Sequence, residues 1–317
     1  AAMKWGQLGG AMRAAVSASP LAAAAAATTF IAPLALRSPS SAEAFFARKP
    51  MSSNASEARI PLQGLSVKMF QYEICPFCNK IKTVMDYCKV PYDTVEVNPL
   101  SKAQLSFTKE LPEDHVAHKY KKVPLTMVGE ELVADSPVIL DKLLQLVAAD
   151  ASGNKDLEML CKSANDDEVK KWVVFADKEL AVLLFPNLTR TFAESYEAFG
   201  YVHDVPGFSF VDKMANQWMG ATAMWLAQGK IKKKYNITDE RKALHECIGR
   251  WTSAIGSKDF LGGSSPNLAD LCVFGTLRSL EGFATHREIL AQTDVGPWYE
   301  RMGKAVGPRN GARSSRT

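Results

Sequence analysis

The chain has 317 residues, with 38 Lys+Arg against 34 Asp+Glu and six cysteines. At 47% hydrophobic and 23% charged residues it has the composition of an ordinary globular protein, which excludes a disordered chain, a collagen and a small disulfide-stapled scaffold. A length of this order predicts about two domains.

The formal net charge of +4 is unevenly placed. Residues 1–60 hold six basic and two acidic residues, and 301–317 hold five basic residues and no acid. Residues 61–300 are therefore net −5. A mildly acidic body argues against nucleic acid as a partner, because neutralising phosphate takes a concentrated basic surface. The densest basic run, Lys230 to Lys234, reads as a solvated helix end.

Within residues 1–60, Ala14 to Leu36 is uncharged and Ala-rich, and Arg37 to Pro50 is Ser-rich and basic. That composition predicts a leader for a mitochondrion or plastid, removed before the protein works. The alternative is a membrane anchor, since the uncharged stretch is long enough to span a bilayer; Pro20 and Pro33 count against it.

From residue 61 to 148 the pattern predicts an α/β unit. Residues 67–72 alternate as a strand, Cys75-Pro76-Phe77-Cys78 follows, and an amphipathic helix then aligns Ile81, Val84, Met85 and Cys88. Residues 92–97 form a second strand and 102–107 a short helix. Val123-Pro124 leads into a third strand at 125–128, and Gly129-Glu130 turns it into a fourth at 131–134. Asp135-Ser136-Pro137 opens a helix with Ser136 as its cap and Val138, Ile139, Leu143, Leu144 and Val147 as its apolar stripe. The predicted order is β-α-β-α-β-β-α. Residues 149–300 show helical periodicity without a convincing strand, and Asn267 to Asp270 has the spacing of a reciprocal cap; 301–317 read as a basic tail.

The Cys-x-x-Cys is the sharpest chemical feature. Between a strand and a helix, Cys75 takes the cap position, where unpaired amides and the helix dipole favour its thiolate. Pro76 costs nothing at the first helical position. Cys78, one turn on, is placed to resolve a mixed disulfide. A structural zinc site is the competing reading; it would need His115 and His118, which lie in an inserted segment from Leu111 to Tyr120. Cys88, Cys161, Cys247 and Cys272 sit singly in apolar helical patterns and read as buried, inert thiols. If the Val123-Pro124 bond is cis, it exposes the Val123 backbone opposite Cys75. Asp135 and Ser136 at a helix start offer amides and a hydroxyl to a carboxylate. Together these elements describe a groove for glutathione.

The order of elements and these motifs resemble a glutaredoxin/thioredoxin-type domain joined to an all-α domain of the glutathione S-transferase C-terminal type. The segments FQYEICPFCNK, VPYDTVEVNP, KKVPLTMV, DSPVI, FPNLTRT, MGATAMWL and PNLADLCVFGTLRSLEG narrow the resemblance to the prostaglandin E synthase 2 family, from about residue 67 to about 300. The resemblance implies that Cys75 is the catalytic thiol, that the Tyr72 hydroxyl meets its sulfur, and that Phe77, beside Pro76, lines the substrate pocket. It puts Val123, Pro124, Asp135 and Ser136 on the glutathione-binding positions and implies a homodimer. Haem enters by resemblance alone, since nothing in composition or spacing shows such a site. The implied reaction isomerises prostaglandin H2 to prostaglandin E2. The alternatives are a glutathione-dependent thiol–disulfide oxidoreductase and a non-catalytic glutathione- or haem-binding organellar protein. The Leu111 to Tyr120 segment and the leader depart from the animal proteins of the family.

Overall fold

The computed structural model describes residues 64–151 and 153–313. The leader and anchor readings fall on residues 1–60 and lie outside them. Among the described residues no helix is long and apolar enough to cross a membrane.

The chain opens with β1 (Val67–Gln71), α1 (Pro76–Tyr87) and β2 (Asp93–Glu96), then a 3₁₀ turn at Ala103–Lys109, β3 (Leu125–Val128), β4 (Glu131–Ala134) and α2 (Ser136–Asp150). The helix expected at 102–107 is thus 3₁₀, not α. β1 lies parallel to β2 and antiparallel to β3, which pairs antiparallel with β4. Val67 and Met69 point into the core, as the alternation requires. In α1 the expected stripe holds: Ile81, Val84, Met85 and Cys88 are all buried.

The α2 start differs from expectation by one residue. Asp135 is the cap, with φ +81°, and Ser136 and Pro137 are the first two helical residues. The positive φ takes Asp135 out of the helix, so it occupies the cap position between β4 and α2. Val138 is exposed, while Ile139, Leu140, Leu143, Leu144 and Val147 form the buried stripe.

The remainder is helical: α3 (Lys155–Ser163), α4 (Asp167–Phe175), α5 (Ala181–Leu188), α6 (Phe192–Phe199), α7 (Phe210–Ala215), α8 (Ala221–Lys234), α9 (Glu240–Ile255), α10 (Leu268–Arg278), α11 (Ala284–Gln292) and α12 (Gly296–Val306). Single π-helical turns at Ala176–Leu180 and Asn216–Gly220 join α4 to α5 and α7 to α8. Every residue of α10 is buried, which makes it the central helix of the molecule. Its start carries the reciprocal cap read from the sequence: the Asp270 amide donates to Asn267 Oδ1, and Asp270 Oδ2 accepts from the Asn267 amide.

Two observations revise the end of the chain. Residues 301–306 belong to α12, not to a tail, and Ala312–Arg313 form a fifth strand, β5, parallel to β2. The sheet order is β4-β3-β1-β2-β5. A two-residue strand carries no periodicity to read, and only its pairing with β2 reveals it.

The two parts meet where α1 packs on α10. Gly275 makes this approach possible: a Cβ there would stand 2.7 Å from Lys80 Cα and 2.9 Å from the Asn79 carbonyl oxygen. Beside it, buried Lys80 donates to Asp177 at 2.5 Å, tying α1 to the first π-turn. Because backbone and not a flexible side chain would have to move, Gly275→Ala is expected to cost about 1–3 kcal/mol. The urea midpoint measures it; an unchanged midpoint would show that the helices slide apart freely.

Candidate active site

The Cys75 thiol sits on a turn between β1 and α1. The Cys75 amide donates to the Tyr72 carbonyl at 3.0 Å, and the Cys75 carbonyl accepts from the Asn79 amide at 3.0 Å, opening the helix. Cys75 has extended backbone (φ −80°, ψ 120°) at the cap, and Pro76 is the first helical residue. The Asn79 side chain braces the turn from within: Nδ2 donates to the Glu73 carbonyl at 2.6 Å and to the Cys75 carbonyl at 3.1 Å. Cys75, Pro76 and Phe77 are half-buried, whereas Cys78 is fully buried. Burial, a hydrogen bond to Cys75 and the nearby Cys75 charge hold the Cys78 thiol well above its ordinary pKa, so it stays protonated. Tyr72 is buried close to both sulfurs; burial first, then Cys75, Cys78 and Glu96, push its phenol upward. No disulfide joins any of the six cysteines. Burial pushes Cys88, Cys247 and Cys272 up to about 12, which keeps them inert. Cys161 differs from expectation: it is half-buried, with Sγ 3.7 Å from the Leu144 carbonyl oxygen.

The sheet register brings the other candidate residues to the same end. Phe70 pairs with Leu125, and Leu125 with Ala134. Continuing those ladders sets Val123 level with Tyr72, and Pro124 level with Asp135. The Val123–Pro124 peptide is cis. Val123, Pro124 and Ser136 are buried, and Asp135 is half-buried. Tyr120, from the inserted segment, was not singled out by its sequence; its hydroxyl donates to Asp135 Oδ1 at 3.4 Å.

Beneath the turn lies a charged cluster that no local sequence pattern marks. Glu73 accepts from Lys82 at 3.2 Å, from Gln71 at 2.8 Å and from Arg309 at 2.8 Å. Burial would raise its pKa, but the charges of Lys82 and Arg309 overcome this and hold it at about 2. Glu96, at the end of β2, accepts from the Glu73 amide at 2.8 Å and from Gln71 at 3.1 Å. Burial, aided by the Glu73 charge, pushes Glu96 up to about 8 against the Glu73 amide bond. Tyr201 reaches the same carboxyl from the helical part, and burial together with Glu96 drives its phenol upward. The residues of this cluster are spread through the sequence, so no local pattern announces it.

Glu96 sets a pH dependence of stability. Its folded value of about 8 exceeds the roughly 4.3 of an unfolded glutamate, so the folded state holds the proton more tightly. This contribution is full below about pH 4 and is lost as pH rises through about 8. Glu96→Gln is therefore expected to lose less melting temperature between pH 5 and pH 9 than the native protein, by a few °C or about 1 kcal/mol or more. Parallel melting curves for the two proteins would count against this assignment.

Among the described residues no three His, Cys, Asp or Glu side chains converge to hold a metal ion. His115 and His118 serve their own loop: His115 Nδ1 accepts from the Ala117 amide, and His118 Nδ1 meets the Leu111 carbonyl. His203 meets Gln217, His245 faces Glu288, and His286 lies edge-on to Tyr299. None of these partners belongs to the Cys75 turn.

A family model, the glutathione S-transferase N-terminal domain, matches residues 69–151. Prostaglandin E synthase 2 of Danio rerio is 32% identical over 280 residues, covering 76% of this chain and 71% of that protein. The Mus musculus protein of the same name is 30% identical over 292 residues, covering 79% and 73%. The chain belongs to the prostaglandin E synthase 2 family. Its fold is a thioredoxin-like α/β domain followed by a helical domain. Among solved structures, the β-etherase LigF of Sphingobium sp. strain SYK-6 aligns over 76% of this chain and 96% of its own, with 14% identity and a TM-score of 0.48.

Proposed function

We propose that this member of the prostaglandin E synthase 2 family is a glutathione-binding isomerase that converts prostaglandin H2 to prostaglandin E2 through the Cys75 thiol. The observation that carries the reading is the convergence, at one end of the sheet, of the Cys75 turn, Val123-Pro124 and Asp135-Ser136. The first ladder continues to the Val123 backbone, an edge for an extended peptide. The start of α2, at Ser136, is the positive end of the helix dipole, which suits the carboxylate of a γ-glutamyl group. Asp135, held at φ +81°, is a strained residue of the kind that clusters at ligand clamps.

Chemically, the reaction opens the endoperoxide O–O bond and moves a proton from the carbon that becomes the ketone. The Cys75 thiolate attacks the peroxide oxygen on the carbon that becomes the ketone; an S–O bond forms as the O–O bond breaks, and the other oxygen leaves as an alkoxide that takes up a proton. Loss of that carbon's proton then forms the C=O bond and breaks the S–O bond, returning the thiolate with no net redox change. Half-buried Phe77 offers an apolar wall beside it.

The second reading, a glutathione-dependent thiol–disulfide oxidoreductase, is favoured by the intact pair of Cys75 and the protonated Cys78 one turn away. Assaying the purified protein with glutathione against prostaglandin H2 and against a disulfide substrate separates the two. Prostaglandin E2 formation above the spontaneous rate is expected. Disulfide reduction without it would give the assignment to the second reading, and neither activity together with no glutathione binding would overturn both.

A further inference from the structure

We infer that residues 307–313 form a strap that sets the Cys75 turn, with Arg309 as a positioning residue for the thiol; the inference rests on Cys75 being the working thiol. The strap leaves α12 and crosses the first domain at several points. Lys89 Nζ donates to the Val306 carbonyl at 2.9 Å, the Asn310 amide to Asp86 Oδ1 at 2.8 Å, and the Asn310 side chain to the Asp86 carbonyl at 3.2 Å. Gly311 lies flat on the Tyr92 ring, where a Cβ would come within 2.1 Å of a ring carbon. Ala312 and Arg313 then pair with Asp93 and Thr94.

This anchoring delivers one guanidinium to the turn. Arg309 Nη1 donates to Glu73 Oε1 at 2.8 Å and to Asn79 Oδ1 at 3.0 Å, and Nη2 donates to Glu281 Oε2 at 3.2 Å. The bond to Asn79 decides which way that buried amide faces. With Oδ1 satisfied by Arg309, Nδ2 is directed at the Glu73 and Cys75 carbonyls, and those bonds fix the turn bearing the sulfur. Without Arg309, Asn79 Oδ1 loses the donor that orients it, and Glu73 keeps Lys82 as its one cationic partner among the described residues. Both changes disfavour the Cys75 thiolate: the turn loosens, and an under-compensated carboxylate stands two residues away. A lysine would keep the charge but not the fork that serves two acceptors at once.

The test is the rate of Cys75 alkylation by iodoacetamide as a function of pH, on the full chain, with Cys75→Ser as the labelling blank. It needs no substrate, so it stands whether or not the isomerase reading does. Arg309→Met is expected to raise the midpoint of the profile and slow alkylation at pH 7 by about three- to tenfold. Asn79→Ala is expected to slow it similarly, and the double variant to be no slower than the worse single one. Lys89→Met removes only the bond to Val306, the last residue of α12 and ahead of the strap, and is expected to lower the melting temperature while leaving the profile unmoved. Arg309→Lys is expected to return the midpoint to within about a quarter unit of native but to regain only part of the rate. If Arg309→Met does not fold, the Asn79→Ala and Arg309→Lys profiles carry the test. Profiles matching the native one, or an equal shift in Lys89→Met, would overturn the inference.

Discussion

Cys75→Ser is expected to lower prostaglandin H2 conversion by a factor of about 10³ or more, while Cys78→Ser stays within about threefold of native. The difference follows from where the two sulfurs sit. Cys75 is half-buried at a helix cap, at the positive end of the helix dipole, which favours its anion. A serine there keeps the shape but has a hydroxyl far too weakly acidic to supply the anion or the ready proton. Cys78 is fully buried and held protonated, so it cannot be the group that meets an incoming peroxide. It can act only after Cys75 carries a mixed disulfide, when attack on the bridging sulfur releases the bound thiol. Cys78→Ser should therefore impair dithiol reduction of protein disulfides and spare isomerisation. Steady-state rates of both reactions for both variants read the outcome. Equal loss of isomerisation in the two would refute the division of roles.

Asp270→Ala is expected to have the largest effect on stability, about 3–5 kcal/mol, or a fall of about 10 °C in melting temperature. Its carboxylate is fully buried and collects four donors: the amides of Leu261 at 2.9 Å, Gly262 at 3.1 Å and Asn267 at 3.1 Å, and Trp298 Nε1 at 3.0 Å. Removing it strands those N–H groups in the core and frees the loop before α10. Since α10 is the surface on which α1 rests, the damage reaches the Cys75 helix. Asp270→Asn keeps acceptor capacity on one side-chain atom and should fall between alanine and native. Thermal denaturation of the three proteins measures this; a loss below about 1 kcal/mol in the alanine variant would show that water replaces the carboxylate.

Much of the first domain could be read from the chain because its information is local. Four short strands, a Gly129-Glu130 turn and the apolar face of α1 each carry their own signal, and the structure keeps all of them within a residue or so. The α2 cap falls on Asp135 and not on Ser136 because both residue types suit a cap and only backbone angles separate them. The 3₁₀ turn at Ala103–Lys109 has a side-chain pattern that, over two turns, matches that of an α-helix. What escaped was non-local. Arg309 looks like any arginine in a basic tail until Glu73 and Asn79 are seen beside it. Glu96 looks like a solvent-facing strand residue until Tyr201 and Glu73 close over it. Tyr120 sits in a segment whose length, not its chemistry, drew notice.

The strap gives the molecule an order of assembly. The contacts from Arg309 to Glu73 and Asn79 join positions 236 and 230 residues apart, so they are among the longest loop closures of the described residues. A ribosome has released the Cys75 turn long before it makes residue 309. Until then the turn has Asn79 without its orienting donor and β2 with an open edge. The reactive cysteine is thus the first chemistry synthesised and among the last to be finished, which makes the thiol a reporter of completed folding.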